Sequence, residues 1–225
     1  MNTRTPAKGH FIVLEGGEGV GKTTQITLLH RAMEAAKLSA RAVREPGSTK
    51  VGELLRPLLK GYAYPEINEW QALCGYNFAR TAYIFEVVQP ALAEGVWMLS
   101  DRFAFSTIVY QGYAGGLDEA VVQAVTNGVV GNHWPSLTFI LDAPAEVGLA
   151  RSATDTHASR QDGSRYEDKG LTFHQKIRNG YLKLLEEYPH KTIKIDATQS
   201  VAQVHQNILQ ALNQRFALNL QPVQI

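Results

Sequence analysis

The sequence is poor in the residues that build disulfide scaffolds and metal cages. Cys74 is the only cysteine among 225 residues, which excludes a disulfide framework and a four-cysteine zinc site. The seven histidines show no paired H-x-x-x-H spacing, so we expect no metal cage built from protein side chains alone. Scarce cysteine is typical of a reducing compartment, and we expect a cytoplasmic protein.

An excess of one charge and a long apolar run are also missing. Lysine and arginine number 22 and aspartate and glutamate 21, for a formal net charge of +1, so no basic field favours nucleic acid or an anionic membrane as a partner. The segment MNTRTPAKGH is polar, and the apolar run FIVL after it is too short for a signal or membrane segment. We therefore expect a soluble protein that binds neither nucleic acid nor membrane.

The chain does have a core-forming composition in which strand and helix patterns alternate. Hydrophobic residues make up 44% of it, enough for one domain, 1–225, with a full core. The short apolar runs typical of buried strands are HFIVLEG, ARAVRE, VWMLSD, LTFILDA and TIKIDA. Helical or loop stretches separate them, which predicts an α/β fold with a parallel five-stranded sheet and helices on both faces.

One polar stretch interrupts this alternation at 152–165. Its sequence, SATDTHASRQDGSR, is rich in Ser, Thr, Asp and Gly and lies between helical patterns. It predicts an exposed mobile loop, either a plain surface loop or, because it carries arginines, a short lid over a site.

The most specific motif is GGEGVGKTT at 16–24, which fits G-x-x-x-x-G-K-[ST]. It follows the first predicted strand and opens the first predicted helix. In that context backbone N–H groups and the helix N-terminus bind phosphates, Lys22 reaches the outer phosphates and Thr23 binds magnesium. The motif predicts a nucleoside triphosphate site; the alternative is a glycine-rich turn that matches by chance.

A triphosphate site does not by itself name the reaction. A kinase could pass the phosphate to a small acceptor, a GTPase or ATPase switch could pass it to water, and a sensing module could bind nucleotide without catalysis. The chain has no N-K-x-D guanine-reading motif, which argues against a GTPase. A small-acceptor kinase needs a second anion site that faces the phosphate loop.

An arginine on the inner face of a helix is the first indication of such a site. The pattern from about 68 to 92 is helical. One face of this helix carries Leu73, Tyr76, Arg80, Ile84 and Val87. A guanidinium keeps its charge inside a protein, so Arg80 needs hydrogen-bond acceptors on that face.

Two predicted strand ends add candidates. The strand in MLSDRFAFSTIVYQG ends at Asp101 and Arg102, at the sheet edge where ligands gather. Asp101 could hold magnesium and Arg102 a phosphate, or the pair could form a structural salt bridge or a cap. In REPGST, Pro46 fixes the backbone and Gly47 permits close approach of a ligand.

Together these motifs resemble those of the thymidylate kinase family, whose members phosphorylate dTMP to dTDP with ATP. The resemblance covers nearly the whole chain in order: FIVLEGGEGVGKTT, REPGST, YNFAR with VVQPALAEG, DRFAFSTIVYQG, TFILDAPAEVGLAR, RYE and IDAT. It is closest to the bacterial branch, whose phosphate loop lacks an arginine, as it does here, and whose lid supplies one. The resemblance implies ATP and Mg²⁺ as cofactors, dTMP as substrate, direct in-line transfer for dTTP synthesis, and a homodimer.

The resemblance also implies roles for individual residues. Those implied to bind ATP are Gly16, Gly17, Glu18, Gly19, Val20, Gly21, Lys22, Thr23, Thr24 and Ala197. Those implied to bind dTMP are Glu18, Pro46, Tyr76, Arg80, Arg102, Thr107, Tyr110 and Gln111. Magnesium would be held by Thr23 and Asp101.

Within the acceptor set, family positions imply specific contacts. Arg80 matches the arginine that bonds thymine O4, so the ligand is expected to satisfy its hydrogen bonds, and Tyr76 matches the aromatic residue that stacks on the base. Many relatives have phenylalanine there, and the extra hydroxyl of Tyr76 needs a partner. Thr107 is implied to contact thymine N3, Tyr110 to lie beneath the sugar and disfavour a 2′-hydroxyl, and Arg102 to bind the acceptor phosphate.

The catalytic residues expected are Lys22, Arg102, Arg160 and Arg151. Arg160 lies at the centre of the 152–165 stretch and is favoured for contact with the ATP phosphates, with Arg151 as its support. No general base is needed, because a phosphate monoester has a second pKa of about 6 and is largely ionised at neutral pH.

Two questions stay open at the level of sequence. Phe78, Ala82 and Phe85 form a second apolar stripe on the Arg80 helix, which either a homodimer contact or an enclosed core helix would bury. The alternative functions are another nucleoside or nucleotide kinase of this fold and a P-loop switch ATPase. The single methyl that separates dTMP from dUMP is worth only about 1–3 kcal/mol in an apolar pocket.

Overall fold

A parallel five-stranded sheet forms the centre of the computed structural model, which describes residues 9–61, 64, 66–154 and 165–224. The strands are β1 (Phe11–Gly16), β2 (Ala40–Arg44), β3 (Trp97–Asp101), β4 (Leu137–Asp142) and β5 (Thr192–Asp196). Their order across the sheet is β2-β3-β1-β4-β5, and all neighbouring pairs are parallel. The predicted α/β fold is confirmed, since β1 and β4 are buried throughout and read as continuous apolar runs.

Helices cover both faces of this sheet. They are α1 (Lys22–Ala35), α2 (Lys50–Lys60), α3 (Glu69–Tyr83), α4 (Gln89–Ala93), α5 (Ala104–Thr107), α6 (Glu119–Val130), α7 (Ala145–Thr154), α8 (Gly170–Glu187) and α9 (Val201–Phe216). Successive residues of β1 point to opposite faces. Ile12 therefore joins the core with α1 and α9, and Phe11 joins the core with α3 and α4.

The predicted helix from about 68 to 92 is present, with one change in its winding. A reciprocal capping box starts α3, because Asn68 and Gln71 each accept the other's backbone N–H at 2.9 Å. A π-helical turn, Ile84–Val88, joins α3 to α4, and a second one, Ile108–Tyr113, continues α5. Such turns are frequent beside functional sites.

The two apolar faces of the helix formed by α3 and the π-helical turn after it have different environments. On the inner face Leu73, Arg80, Ile84 and Val87 are buried and Tyr76 is half-buried, as predicted. On the other face Phe78 is 60% and Phe85 57% exposed. The alternative of a fully enclosed core helix is therefore wrong.

The start of the predicted loop at 152–165 is helical. Residues 152–154 end α7, where the hydroxyl of Thr154 donates to the carbonyl oxygen of Arg151 at 3.1 Å. Ser and Thr side chains can bond to their own helix in this way, so the polar composition did not end the helix there. Residues 155–164, including Arg160, lie outside the described residues. Within the described ranges, no helix combines the length and apolar character needed to cross a membrane.

Candidate active site

The phosphate loop, 16–24, connects β1 to α1 at the carboxyl edge of the sheet. Gly16, Gly19 and Gly21 have φ angles of 143°, 66° and 87°, which side-chain-bearing residues rarely adopt. At Gly19 a Cβ atom would also collide with the carbonyl oxygen of Gly148. Glycine at this position therefore lets the loop pack directly on α7, the helix that leads into 155–164.

Lys22 is buried beneath the loop. Its ammonium donates to the carbonyl oxygens of Gly17 at 2.6 Å and Gly16 at 3.3 Å. Burial lowers the pKa of Lys22 to about 8, and the nearby charge of Arg102 acts in the same direction. The fold thus holds a cation against the backbone of the phosphate loop.

Thr23 and Asp101 come together from the start of α1 and the end of β3. The Thr23 hydroxyl donates to Asp101 Oδ2 at 2.6 Å. Two such oxygen donors fit Mg²⁺, which is held by one or two carboxylates together with phosphate oxygens. Among the described residues, no cluster of three or more His, Cys, Asp or Glu side chains could form a protein-only metal cage.

The remaining residues expected on the ATP side are spread around the loop. Thr24 is exposed beside Thr23, whereas the side chain of Val20 is buried in the core. Ala197, after β5, accepts a hydrogen bond from Arg151 Nη1 at 2.6 Å, and Thr198 accepts one from Arg151 Nη2 at 3.4 Å. Arg151 therefore ties α7 to the turn that follows β5.

Arg102 lies at the junction of the phosphate loop and the neighbouring cavity. Its Nη1 donates to the carbonyl oxygen of Gly16 at 3.0 Å, and its Nη2 donates to Glu18 at 3.0 Å and to the Tyr110 hydroxyl at 3.1 Å. Burial alone would raise the pKa of Glu18, but Arg102 and Lys22 hold it well below its usual range. The ion-pair partner of Arg102 is thus Glu18.

Arg80 is bound by protein groups to a greater extent than expected. Its Nε lies 2.9 Å from one carboxylate oxygen of Glu45 and donates to the other at 3.2 Å. Nη1 donates to Asn77 at 3.0 Å, and Nη2 to Thr107 at 2.9 Å and the Phe103 carbonyl oxygen at 3.4 Å. The expectation that the ligand satisfies Arg80 is therefore wrong for four of its five N–H groups. One Nη1 hydrogen is left without an acceptor among the described residues.

A cavity lies between Arg80 and Arg102, and small-molecule sites are typically concave in this way. All eight residues expected to bind the acceptor line it: Glu18, Pro46, Tyr76, Arg80, Arg102, Thr107, Tyr110 and Gln111. The cavity is also lined by Glu45, Lys60, Phe103, Ser106 and Tyr166.

Polar contacts fix the aromatic side chains of this cavity. The extra hydroxyl of Tyr76 donates to the Leu59 carbonyl oxygen at 3.4 Å. Gln111 donates to the Tyr166 hydroxyl at 2.9 Å, and the rings of Tyr110 and Tyr166 meet edge to face at 5.2 Å. The Oε1 atom of Gln111 is buried without a hydrogen-bond donor among the described residues.

Sequence reasoning missed two buried carboxylates at the site. Burial raises the pKa of Glu45 to about 7, against the opposing charge of Arg80. Glu15 accepts hydrogen bonds from the backbone of Phe103 at 2.9 Å and the hydroxyl of Ser106 at 2.6 Å, which fixes the start of α5. The signal in the sequence is the acidic residue at the end of each apolar strand pattern, since a buried arginine requires a compensating carboxylate.

The chain is similar to known proteins over most of its length. The family model described as thymidylate kinase matches residues 14–208. A thymidylate kinase of Afipia carboxidovorans is 36% identical over 212 residues, covering 94% of this chain and 92% of the relative. One of Citrifermentans bemidjiense is 39% identical over 209 residues, covering 92% of this chain and 93% of the relative. The crystal structure of thymidylate kinase from Ehrlichia chaffeensis superimposes with a TM-score of 0.74 at 25% identity, covering 91% of this chain and 99% of that one.

Proposed function

This chain belongs to the thymidylate kinase family, and from that premise we propose that the cavity between Arg80 and Arg102 binds the acceptor dTMP. The activity is that of the family, phosphorylation of dTMP in dTTP synthesis with ATP. A single observation carries the assignment of the cavity: it joins a buried polar group at Arg80 to an arginine that touches the phosphate loop. A nucleoside monophosphate needs this combination of a base-reading end and a phosphate-binding end.

The base-reading end is formed by Arg80, Thr107 and Tyr76. The Nη1 hydrogen of Arg80 that has no acceptor among the described residues would donate to thymine O4. Thr107 would contact N3, and the ring of Tyr76 would stack on the base. The ring of Tyr110 lies 5.1 Å from the guanidinium carbon of Arg102 and lines the cavity, and it would contact the sugar and disfavour a ribose. Pro46 and Gln111 complete the walls.

At the other end, Arg102 would bind the acceptor phosphate. Glu18 already occupies the guanidinium, so phosphate binding requires Arg102 to share its donors between two anions. The low pKa of Glu18 keeps that residue ionised, and its negative charge limits how firmly the phosphate is held in the ground state. The interactions can then become stronger in the transition state, when negative charge develops on the transferring phosphoryl group.

The donor side is the phosphate loop. Its backbone N–H groups and Lys22 would bind the ATP phosphates, with Thr24 beside them and the turn at Ala197 near the adenine. An ionised acceptor phosphate attacks directly, so the chain must overcome repulsion between two anions rather than remove a proton. Lys22 and Arg102 provide positive charge on the two sides of the transferring group.

Thr23 and Asp101 are the residues we propose for magnesium, since their oxygens already lie within hydrogen-bonding distance. Bound Mg²⁺ would neutralise phosphate charge and orient the donor phosphates. The hydrogen bond from the Thr23 hydroxyl to the Asp101 carboxylate holds these two oxygens together.

We also propose that Arg160 contacts the ATP phosphates from a lid at 152–165, with Arg151 as support from the end of α7. An arginine that reaches a transferring phosphoryl group is worth about 10³–10⁵ in rate. In this proposal, residues 1–225 form one P-loop nucleoside monophosphate kinase domain, located in the cytoplasm.

A homodimer is proposed from the exposed face of α3. Trp70 and Phe78 on α3, and Phe85 in the π-helical turn that follows it, are each at least 50% exposed. Several large exposed apolar side chains on one helix face are typical of protein–protein contacts, and a second copy of the chain would cover them.

The test is an ADP-release assay with ATP and Mg²⁺ that compares dTMP, dUMP, dCMP, dGMP and no acceptor. We expect rapid release with dTMP, slow release with the others, and loss of the dTMP preference in Arg80→Ala. Equal release with and without acceptors would overturn the proposal and favour a switch ATPase. Equal release with several monophosphates would favour a kinase of broader specificity.

A further inference from the structure

Lys60 is a cation in the acceptor cavity that no sequence motif identified. It ends α2, is partly buried, and lines the cavity together with Glu18 and Arg102. Within the described ranges, its ammonium has neither a hydrogen bond nor an ion pair. A partly buried ammonium without an acceptor is unfavourable, so a ligand that supplies one would be bound.

The charges around Lys60 locate it at the phosphate end of the cavity. Those that act on it most strongly belong to Glu18, Arg56, Arg102 and Asp101. These include both residues of the Glu18–Arg102 ion pair and the proposed magnesium ligand. Burial lowers the pKa of Lys60, as expected for an ammonium taken partly out of water beside other cations.

The backbone that carries Lys60 is fixed by Arg165, the first described residue after 155–164. The N–H of Arg165 donates to the carbonyl oxygen of Lys60 at 2.8 Å, and its Nε donates to that of Leu59 at 3.1 Å. Its Nη1 donates to the carbonyl oxygen of Ile67 at 2.9 Å. The end of α2 is therefore held against the cavity, and the lysine side chain starts from a fixed position.

We propose that Lys60 binds the phosphate of the acceptor nucleotide, as a second cation beside Arg102. Such a role rests on the proposed function, because it assumes that this cavity holds a nucleoside monophosphate. Arg102 is already shared with Glu18, so Lys60, whose ammonium has no hydrogen bond or ion pair among the described residues, can neutralise phosphate charge that Arg102 cannot. An ammonium is a point charge with three donors, which suits an oxygen of the acceptor phosphate that does not attack the γ-phosphoryl group.

The competing explanation is a structural role at the helix end. A lysine in the last turn stabilises the negative end of a helix without touching any ligand. The two roles differ in their dependence on ligand charge. If Lys60 binds the phosphate, replacing it weakens the binding of dTMP but not that of a ligand without a phosphate. If Lys60 only stabilises the helix, replacing it affects both ligands alike.

The experiment compares wild type with Lys60→Met, Lys60→Arg and, as a matched control, Lys50→Met at the exposed start of the same helix. For each protein, KM and kcat for dTMP are measured, together with the inhibition constant of thymidine, which has the base and sugar but no phosphate. Thermal unfolding of each variant reports on folding.

We expect Lys60→Met to raise KM for dTMP about tenfold or more, the usual loss for a hydrogen bond to a charged group. Thymidine inhibition and kcat should change far less, because the contact is made equally in the ground and transition states. Lys60→Arg should recover most of the affinity, and Lys50→Met should match wild type.

Two results would overturn the assignment of Lys60. An unchanged KM for dTMP in Lys60→Met would exclude phosphate binding, and equal losses for dTMP and thymidine would indicate a structural role. Failure of the proposed function would look different, because wild type itself would then lack activity with dTMP or inhibition by thymidine.

Discussion

Replacing Glu45 with leucine would leave the positive charge of Arg80 without its carboxylate in a buried site. The two side chains are 3% and 1% exposed and approach to 2.9 Å. Removing one partner of a buried ion pair typically costs about 3–5 kcal/mol, because the remaining charge is uncompensated. For a chain of 225 residues, a loss of that size lowers Tm by roughly 6–20 °C.

The reverse replacement, Arg80→Leu, should cost less in acid, because glutamate can accept a proton whereas arginine cannot lose one. Burial raises the pKa of Glu45 to about 7, above its ordinary value, with Arg80 and Glu15 as the charged groups acting on it. Between pH 4.5 and 7 the folded state therefore binds a proton at Glu45 that the unfolded state does not. This proton uptake stabilises the folded state, and the stabilisation is lost as pH rises through 7. Without Arg80 the pKa of Glu45 rises further, so Arg80→Leu should regain stability relative to wild type as pH falls from 8 to about 6.

The assay is thermal or denaturant unfolding of wild type, both single variants and the double variant between pH 6 and 8. The double variant should be less destabilised than the sum of the singles by a few kcal/mol. Lys183→Leu breaks an exposed pair with Glu119 and serves as the control, with a far smaller expected loss because solvent screens exposed ion pairs. Additive effects of the two single variants, or a Glu45→Leu loss as small as that of the control, would refute the view that this pair is energetically coupled.

Three further predictions concern other parts of the site and the exposed face of α3. Glu18→Gln should lower Tm at pH 7, and the difference from wild type should shrink as pH falls below about 4.5. The depressed pKa of Glu18 contributes stability that is fully present above its unfolded-state pKa and is lost as pH falls toward its folded-state pKa. A difference that stays constant with pH would contradict this. Lys22, with its pKa lowered to about 8, should take up nearly one proton when ATP binds at pH 9 and almost none at pH 7, measured by calorimetry in two buffers, and Lys22→Arg should remove this difference. Phe85→Lys should convert the proposed dimer to monomer in light scattering, and an unchanged mass would count against that interface.

The fold was largely predictable because each strand of a doubly covered sheet is apolar along its length. The helix that carries Arg80 was predictable for a similar reason, since spacings of three and four identify its inner face. Periodicity could not decide whether Phe78 and Phe85 are enclosed, because an interface face and a core face have the same pattern. Only the packing of neighbouring helices settles their exposure.

Contacts between distant segments account for what the sequence did not reveal at the site. Glu45 precedes Arg80 by 35 positions, and nothing in either local pattern pairs them. Lys60 reaches the cavity because α2 packs on α3 and its end is held by Arg165, which are tertiary contacts. The phosphate loop was visible because its chemistry lies within one short segment, whereas the acceptor cavity is built from several elements.

The most direct test of the account is a crystal structure with dTMP and a non-hydrolysable ATP analogue. The account predicts the thymine against Arg80 and Thr107, the acceptor phosphate against Arg102 and Lys60, and the analogue's phosphates on the loop around Lys22. A dTMP molecule bound in the opposite direction, or outside the cavity between the two arginines, would contradict it.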